Sequence, residues 1–299
     1  MPETLIIVAG PTAVGKTDLA VHLAKHFGTE IISADSRQCY REMNIGTAKP
    51  DPEILSSVKH YFINSHSISE PLNAADYEQL ALQYCREIFA KKKVAIVCGG
   101  TGLYIKALCE GMDEIPKTDP ETARQLNAEF KQKGLPWLQE ALSKADPEFY
   151  ATAEQQNPQR LLRALTVKRS TGKSIKEFYT GTKKTRPFQM IKIGLELPRA
   201  ELYQRINDRV EKMMEEGLLA EVKSLIPYRE LKNLNTVGYA ELFDFLDGKI
   251  ALAEAVKLIQ QHSRNYAKRQ LTWFKKDPEF HWFTPLEPKQ ILHFISNRL

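Results

Sequence analysis

Gly10-Pro11-Thr12-Ala13-Val14-Gly15-Lys16-Thr17 fits G-x-x-x-x-G-K-[ST], the pattern of a phosphate-binding loop. No other stretch constrains the fold as strongly. The context that gives the pattern meaning is present on both sides. Thr4–Ala9 is a short apolar, β-branched run that reads as a buried strand. Leu19, Ala20, Leu23, Ala24 and Phe27 then recur at helical spacing, and Gly28 closes the helix. In a strand–loop–helix unit of this kind, backbone N–H groups and the helix dipole converge on one spot. Lys16 adds a full positive charge there, and the Thr17 hydroxyl is placed to ligate Mg²⁺. The unit is a clamp for a di- or triphosphate, and it does not name the reaction.

The 299 residues fit one large domain or two modest ones, and 42% are hydrophobic, enough for a substantial core. The chain enters its first strand without a basic leader, and no apolar run approaches the length of a membrane span. Cys39, Cys85, Cys98 and Cys109 show no C-x-x-C spacing, which predicts free thiols in a reducing cytoplasm and no zinc site. The net charge of +5 matters less than its distribution. Pro116–Arg186 holds 14 basic and 8 acidic residues, and Asn157–Arg186 holds 9 basic and 1 acidic. One segment carries the positive field, which suggests a polyanion larger than a nucleotide.

Glu30–Ser33 reads as a second strand ending at Asp35-Ser36-Arg37-Gln38. Ligands of open parallel sheets gather at the carboxyl ends of strands, so Asp35 and Ser36 are expected in the same cleft as the phosphate loop. Asp35 is suited to take a proton from an acceptor substrate, and equally to cap a turn; position alone does not choose between them. Residues 71–92 form a helix, and Val94–Cys98 a buried strand. That strand runs not into the acid of a phosphoryl-transfer enzyme but into Gly99-Gly100-Thr101-Gly102-Leu103-Tyr104, a second glycine-rich turn with a hydroxyl at its apex.

Residues 116–186 show helical patterns only: 120–133, 135–144 and 158–170, the last opened by Asn157-Pro158. Arg160 and Arg163 share one face of it, while Leu161, Leu162, Leu165 and Val167 fall largely elsewhere as core. Met190–Leu197 reads as a returning strand. On the amphipathic helix 199–216 that follows, Arg205, Arg209 and Lys212 cluster on one side; spacing favours pairing with Glu201, Asp208 or Glu211 over a phosphate role. Asn235–Tyr239 is a turn between helices. The helix 252–276 has no acid from Ala255 to Lys276, and its interleaved bases and aromatics suit nucleic acid or a core equally. The fold class expected is therefore α/β: a P-loop core of parallel sheet and flanking helices, 1–115 and 187–299, with an all-helical insertion at 116–186.

Taken in order, Gly10–Thr17, Asp35–Gln38, Gly46-Thr47-Ala48-Lys49-Pro50, Gly99–Tyr104, Asn157-Pro158-Gln159-Arg160 with Arg163, Val237-Gly238-Tyr239 and Arg269-Gln270-Leu271-Thr272-Trp273-Phe274 resemble the tRNA dimethylallyltransferases, or tRNA isopentenyltransferases, from end to end. The resemblance is to the bacterial form, since the eukaryotic C-terminal zinc finger is missing. It implies transfer of a dimethylallyl group from dimethylallyl diphosphate to N6 of adenosine 37 of tRNA, assisted by Mg²⁺. It assigns the diphosphate to Gly10, Pro11, Thr12, Ala13, Val14, Gly15, Lys16, Thr17 and Ser36, the metal to Thr17, and a further diphosphate grip to Arg209, against the spacing argument. Asp35 becomes the base, and Thr101 the donor to the departing oxygen. The tRNA contacts implied are Asp35, Ser36, Arg37, Gln38 and Thr101; Arg124, Gln159, Arg160, Leu161, Leu162 and Arg163 of the insertion; and Asn235, Thr236, Val237, Gly238, Tyr239 and Ala240. The partners expected are the anticodon stem-loop and dimethylallyl diphosphate, with no membrane, for a monomeric cytoplasmic protein. A P-loop small-molecule kinase, an adenylate isopentenyltransferase and a nucleotide-gated RNA-binding module are the competing readings.

Overall fold

A computed structural model describes residues 2–299. Thr4–Ala9 (β1) is buried along its whole length, as an apolar run in the middle of a parallel sheet should be. It pairs with Val94–Gly99 (β4, numbered in chain order after Ile31–Ser33, β2, and His60–Tyr61, β3) on one side and with Gln189–Leu195 (β5) on the other. With Phe280–Phe283 (β6) these make a six-stranded sheet in the order β3-β2-β4-β1-β5-β6, every pairing parallel. The chain leaves β1 towards β2 on one side and returns through β4 to β5 on the other. The loops after β1 and β4 therefore part at a switch point, where a crevice opens beyond the strand ends.

The strands expected at 4–9, 30–33, 94–98 and 190–197 are all present, each within two residues at either end. β3, β6 and the helices Leu218–Ser224 and Pro288–Ser296 add to them. Lys192 enters the buried face of β5 as a charged residue and is paired there: its Nζ meets Asp277 at 2.7 Å and Glu279 at 2.6 Å, which ties the edge strand β6 to β5. The core of this part joins Ile6, Val8, Ile96 and Ile193 of the sheet to Leu19 and Leu23 of the helix Lys16–Phe27 and Ile206 of the helix Arg199–Glu215.

The chain divides into two compact units, the first running to Gly111 and resuming at Lys184, the second Met112–Lys183. The second unit is helical. Its helix Pro120–Ala145 is interrupted at Gly134, where φ is +74° and Pro136 follows, so the two helices read from the sequence are the two limbs of a kink. Leu126, Leu138 and Leu142 of those limbs pack with Leu161, Leu165 and Val167 of the helix Pro158–Thr171. Among the described residues no helix is long and apolar enough to cross a membrane.

Candidate active site

The loop after β1 carries Thr12, Ala13, Gly15, Lys16 and Thr17 to the wall of a cavity of about 150 Å³. The same cavity is lined by Asp18, Asp35, Gln38, Thr47, Ala48, Gly99, Gly100, Arg209, Tyr266 and Gln270. Gly10, Pro11 and Val14 stand behind it. Val14 buries its side chain, and the Pro11 carbonyl accepts a 2.7 Å hydrogen bond from Lys16 Nζ. Burial holds the Lys16 ammonium down at about 8, with Arg209 pushing the same way and Cys98 and Asp35 opposing. Such a group gains from any anion that enters.

A second cavity of about 140 Å³ adjoins the first and shares Thr12, Asp35, Thr47, Ala48, Arg209 and Tyr266 with it. Its other walls include Arg37, Met213, Thr236, Val237, Gly238 and Ser263. Asp35 stands where the two meet. Its Oδ1 accepts the backbone N–H groups of Arg37 at 2.8 Å and Gln38 at 3.2 Å, so one oxygen orders the turn, and the other is left to the cleft. Gln38 in turn donates to the carbonyls of Thr47 and Ala48, and the Arg37 Nε is buried without a partner.

Arg205 and Arg209 lie one helical turn apart and do different things. Arg205 pairs with Glu201 at 2.8 Å, as spacing predicts. Arg209 instead donates to the Thr12 hydroxyl at 3.2 Å and lines both cavities. The surface it exposes is the cleft wall, and the protein packed around it lowers its pKa by burial. The Thr101 hydroxyl is not on either wall. Its oxygen accepts the Ser36 N–H at 3.0 Å, and it shares a hydrogen bond with Tyr266, whose pKa burial raises to about 12.

Three residues of the site were given no role in it by the sequence reading, although Gln270 lies in the Arg269–Phe274 motif. Gln270, buried on the helix Leu252–Phe274, accepts the Thr12 N–H at 2.9 Å and donates to the Gly100 carbonyl at 2.9 Å. It ties the two glycine turns together, and it occupies one loop amide that was expected to face phosphate. A Cβ on Gly100 would collide with that amide. Tyr266 belongs to the same helix, and the aromatic–basic pattern there was the signal for both. Glu221, on Leu218–Ser224, accepts the N–H groups of Asn44, Ile45 and Gly46 at 3.0, 2.7 and 3.1 Å and the Tyr239 hydroxyl at 2.7 Å. No local pattern marks it.

Thr236, Val237 and Gly238 reach the second cavity, Asn235 is exposed, and the Tyr239 side chain is buried on Glu221. In the other unit, Arg124 is exposed and paired with Glu121 at 2.7 Å. Gln159, Arg160 and Arg163 face outward. Leu161 and Leu162, expected among the RNA contacts, turn their side chains into that unit's core because their helix has only one apolar face to give it.

Among the described residues no group of three or more His, Cys, Asp and Glu is disposed to hold a metal ion. The Thr17 hydroxyl and Asp18 carboxylate on the cavity wall are hard oxygen donors. They suit Mg²⁺, which takes few protein ligands and fills its shell with water and phosphate oxygens.

Sheet, loop and cleft define a P-loop α/β protein whose loop lies beside a carboxylate shared with a second chamber. Residues 38–277 match the family model of the IPP transferases. The chain is 50% identical to the tRNA dimethylallyltransferase of Cytophaga hutchinsonii over 99% of its own length and 97% of that protein. It superposes on the crystal structure of the full-length tRNA isopentenylpyrophosphate transferase of Bacillus halodurans with a TM-score of 0.72 and 37% identity, covering 99% of this chain and 96% of that one. A eukaryotic dimethylallyltransferase acting on tRNA gives a TM-score of 0.79 at 26% identity, over 99% of this chain and 80% of that one. The chain belongs to the IPP transferase, or tRNA dimethylallyltransferase, family.

Proposed function

We propose that the protein transfers a dimethylallyl group from dimethylallyl diphosphate to N6 of adenosine 37 in tRNA, releasing diphosphate. The observation that carries this reading is the placement of Asp35 between two adjoining chambers, one walled by the phosphate loop from Thr12 to Thr17 and the other touching that loop only at Thr12. The donor's diphosphate belongs against Lys16, Thr17 and Arg209, and the acceptor base enters from the side of Arg37 and Val237. The base must leave its stack to get there.

In the transfer, the allylic C–O bond breaks as the C–N6 bond forms, the bonding pair leaves with diphosphate, and the N6 proton passes to the free oxygen of Asp35. The amides of Arg37 and Gln38 hold the carboxylate for that step. Lys16 and Arg209 meet the charge that grows on the leaving group; Thr101, held behind the wall by the Ser36 N–H and Tyr266, would have to leave Tyr266 and turn into the cleft to serve the departing oxygen. Thr17 would hold Mg²⁺ together with diphosphate oxygens and water, and the ion would supply further neutralisation of the diphosphate. The exposed Gln159, Arg160 and Arg163, with the basic surplus of 116–186, grip the phosphates of the anticodon stem-loop. Four free cysteines and a tRNA substrate suit a cytoplasmic enzyme.

The test is a transfer assay with labelled dimethylallyl diphosphate, Mg²⁺ and unmodified tRNA carrying A36-A37, read by nucleoside mass spectrometry. N6-dimethylallyladenosine at position 37, lost in Asp35→Ala and Asp35→Asn, is the expected result. Label on free AMP, or phosphate moved from ATP, would refute the reading.

A further inference from the structure

The helix Leu252–Phe274 turns one stripe of side chains towards the cleft and beyond it. Tyr266 lines both chambers. Arg269 lies three residues on and Trp273 seven, so these three fall on one side of the helix, and Lys276 follows in the turn two residues past the helix end. Trp273 is 44% exposed. A large indole left open in this way is unusual for a side chain that the protein also holds in place. Its pyrrole edge rests on Gly102, so closely that a Cβ there would overlap it. Beside it Leu103 is likewise 44% exposed. Apolar surface is therefore left open on both sides of the Trp273–Gly102 contact, one residue past Thr101, and the chain from Ala255 to Lys276 that carries Trp273 has no acid.

We propose that Trp273, with Leu103 beside it, is a stacking platform for an unpaired nucleotide of the RNA next to the one that enters the cleft. This rests on the transferase reading above. Extracting one base from a loop strips a stacking partner from its neighbours, and an aromatic face restores it whatever the base. Charge complementarity selects a nucleic acid as the occupant: Arg269, one turn before Trp273 on the helix, and Lys276, in the turn just past its end, meet the phosphates that bracket a stacked base. An apolar peptide would gain nothing from that flanking charge.

Steady-state transfer kinetics with wild type, Trp273→Ala and Trp273→Phe test the platform. Trp273→Ala should raise KM for tRNA roughly tenfold, with kcat and KM for dimethylallyl diphosphate within about twofold of wild type, and Trp273→Phe should restore most of the loss. A second readout needs no turnover. In a Trp137→Phe background, which removes the indole of the RNA-gripping insertion, an anticodon stem-loop should quench tryptophan fluorescence, and adding Trp273→Phe should remove most of the quenching, leaving Trp282 to report little. An unchanged tRNA KM in Trp273→Ala, a matching loss in the donor KM, or equal quenching in Trp273→Phe would overturn the platform while leaving the transferase reading intact. Absence of transfer by wild type would overturn both.

Discussion

Glu221 offers the sharpest test of how the cleft is built, because one carboxylate holds a whole wall. It accepts three successive backbone N–H groups, those of Asn44, Ile45 and Gly46, and the Tyr239 hydroxyl. The segment it holds continues into Thr47 and Ala48, which line both chambers and whose carbonyls fix Gln38. In Glu221→Ala, water replaces the carboxylate readily at the exposed Asn44 amide. The other three donors sit in part-buried positions and lose a charged acceptor, at about 1 kcal/mol each after partial rehydration, or about 3 kcal/mol together. Amide hydrogen exchange of the peptide spanning 41–50 reads this directly: local opening should bring exchange roughly 100-fold faster at Ile45 and Gly46. Glu221→Gln keeps an acceptor oxygen but turns an NH₂ towards the other donors, and should fall between. Because the wall positions Gln38 and the turn of Asp35, transfer kcat/KM should drop by roughly tenfold or more in Glu221→Ala. Unchanged exchange at these amides would refute the reasoning, since the hydrogen bonds would then contribute nothing to holding the segment.

Further outcomes follow from the same cleft. Lys16 sits at about 8 in the free protein and is raised by a bound diphosphate, so the complex carries more protons than the free protein above pH 8. Diphosphate affinity should be nearly flat below pH 8 and weaken as pH rises past it, and calorimetry in buffers of different ionisation enthalpy should detect the proton uptake; affinity that strengthens above pH 8 would contradict it. Gly100→Ala drives a Cβ into the Gln270 amide, which frees the Thr12 N–H and loosens the phosphate loop. Donor KM should rise several-fold in that variant, and Gln270→Ala should reproduce the effect, as steady-state kinetics would establish. Arg160→Ala with Arg163→Ala should weaken tRNA binding and lower the slope of log affinity against log salt by about 1–2, with donor affinity unmoved.

The sheet was legible because buried parallel strands are continuous apolar runs, and β1, β4 and β5 are of that kind. β3 has only two residues, neither of them buried, and carries no such run. β6 reads Phe280-His281-Trp282-Phe283, and only Phe280 is buried; the strand owes its place to Lys192 pairing with Asp277 and Glu279 across 85 and 87 residues of chain, which no local window contains. The kinked helix was legible for the opposite reason. Gly134 and Pro136 break the helical pattern within three residues, so the break is itself a local signal.

The site divides along the same line. Residues recognised by motif, such as Lys16, Asp35 and the glycine turn, lie in short stretches whose backbone shape and chemistry are specified together. Residues recognised only by what they meet stay hidden. Arg205 has Glu201 four residues before it and pairs with it, whereas Arg209 has no acid three or four residues away on either side; read as part of one basic cluster the two look alike, and only Thr12, 197 residues away, tells them apart. Gln270 reads as one polar position on an amphipathic helix until two loops separated from it by 258 and 170 residues arrive at the two ends of its amide. Glu221 reads as a solvated acid until three amides turn towards it. The phosphate-loop motif and the Asp35 turn are thus encoded locally, while the parts that hold them in register are encoded by the sheet order. That order brings the loops after β1, β2 and β4 together, and it lets side chains from the helices after β5 close the ring around them.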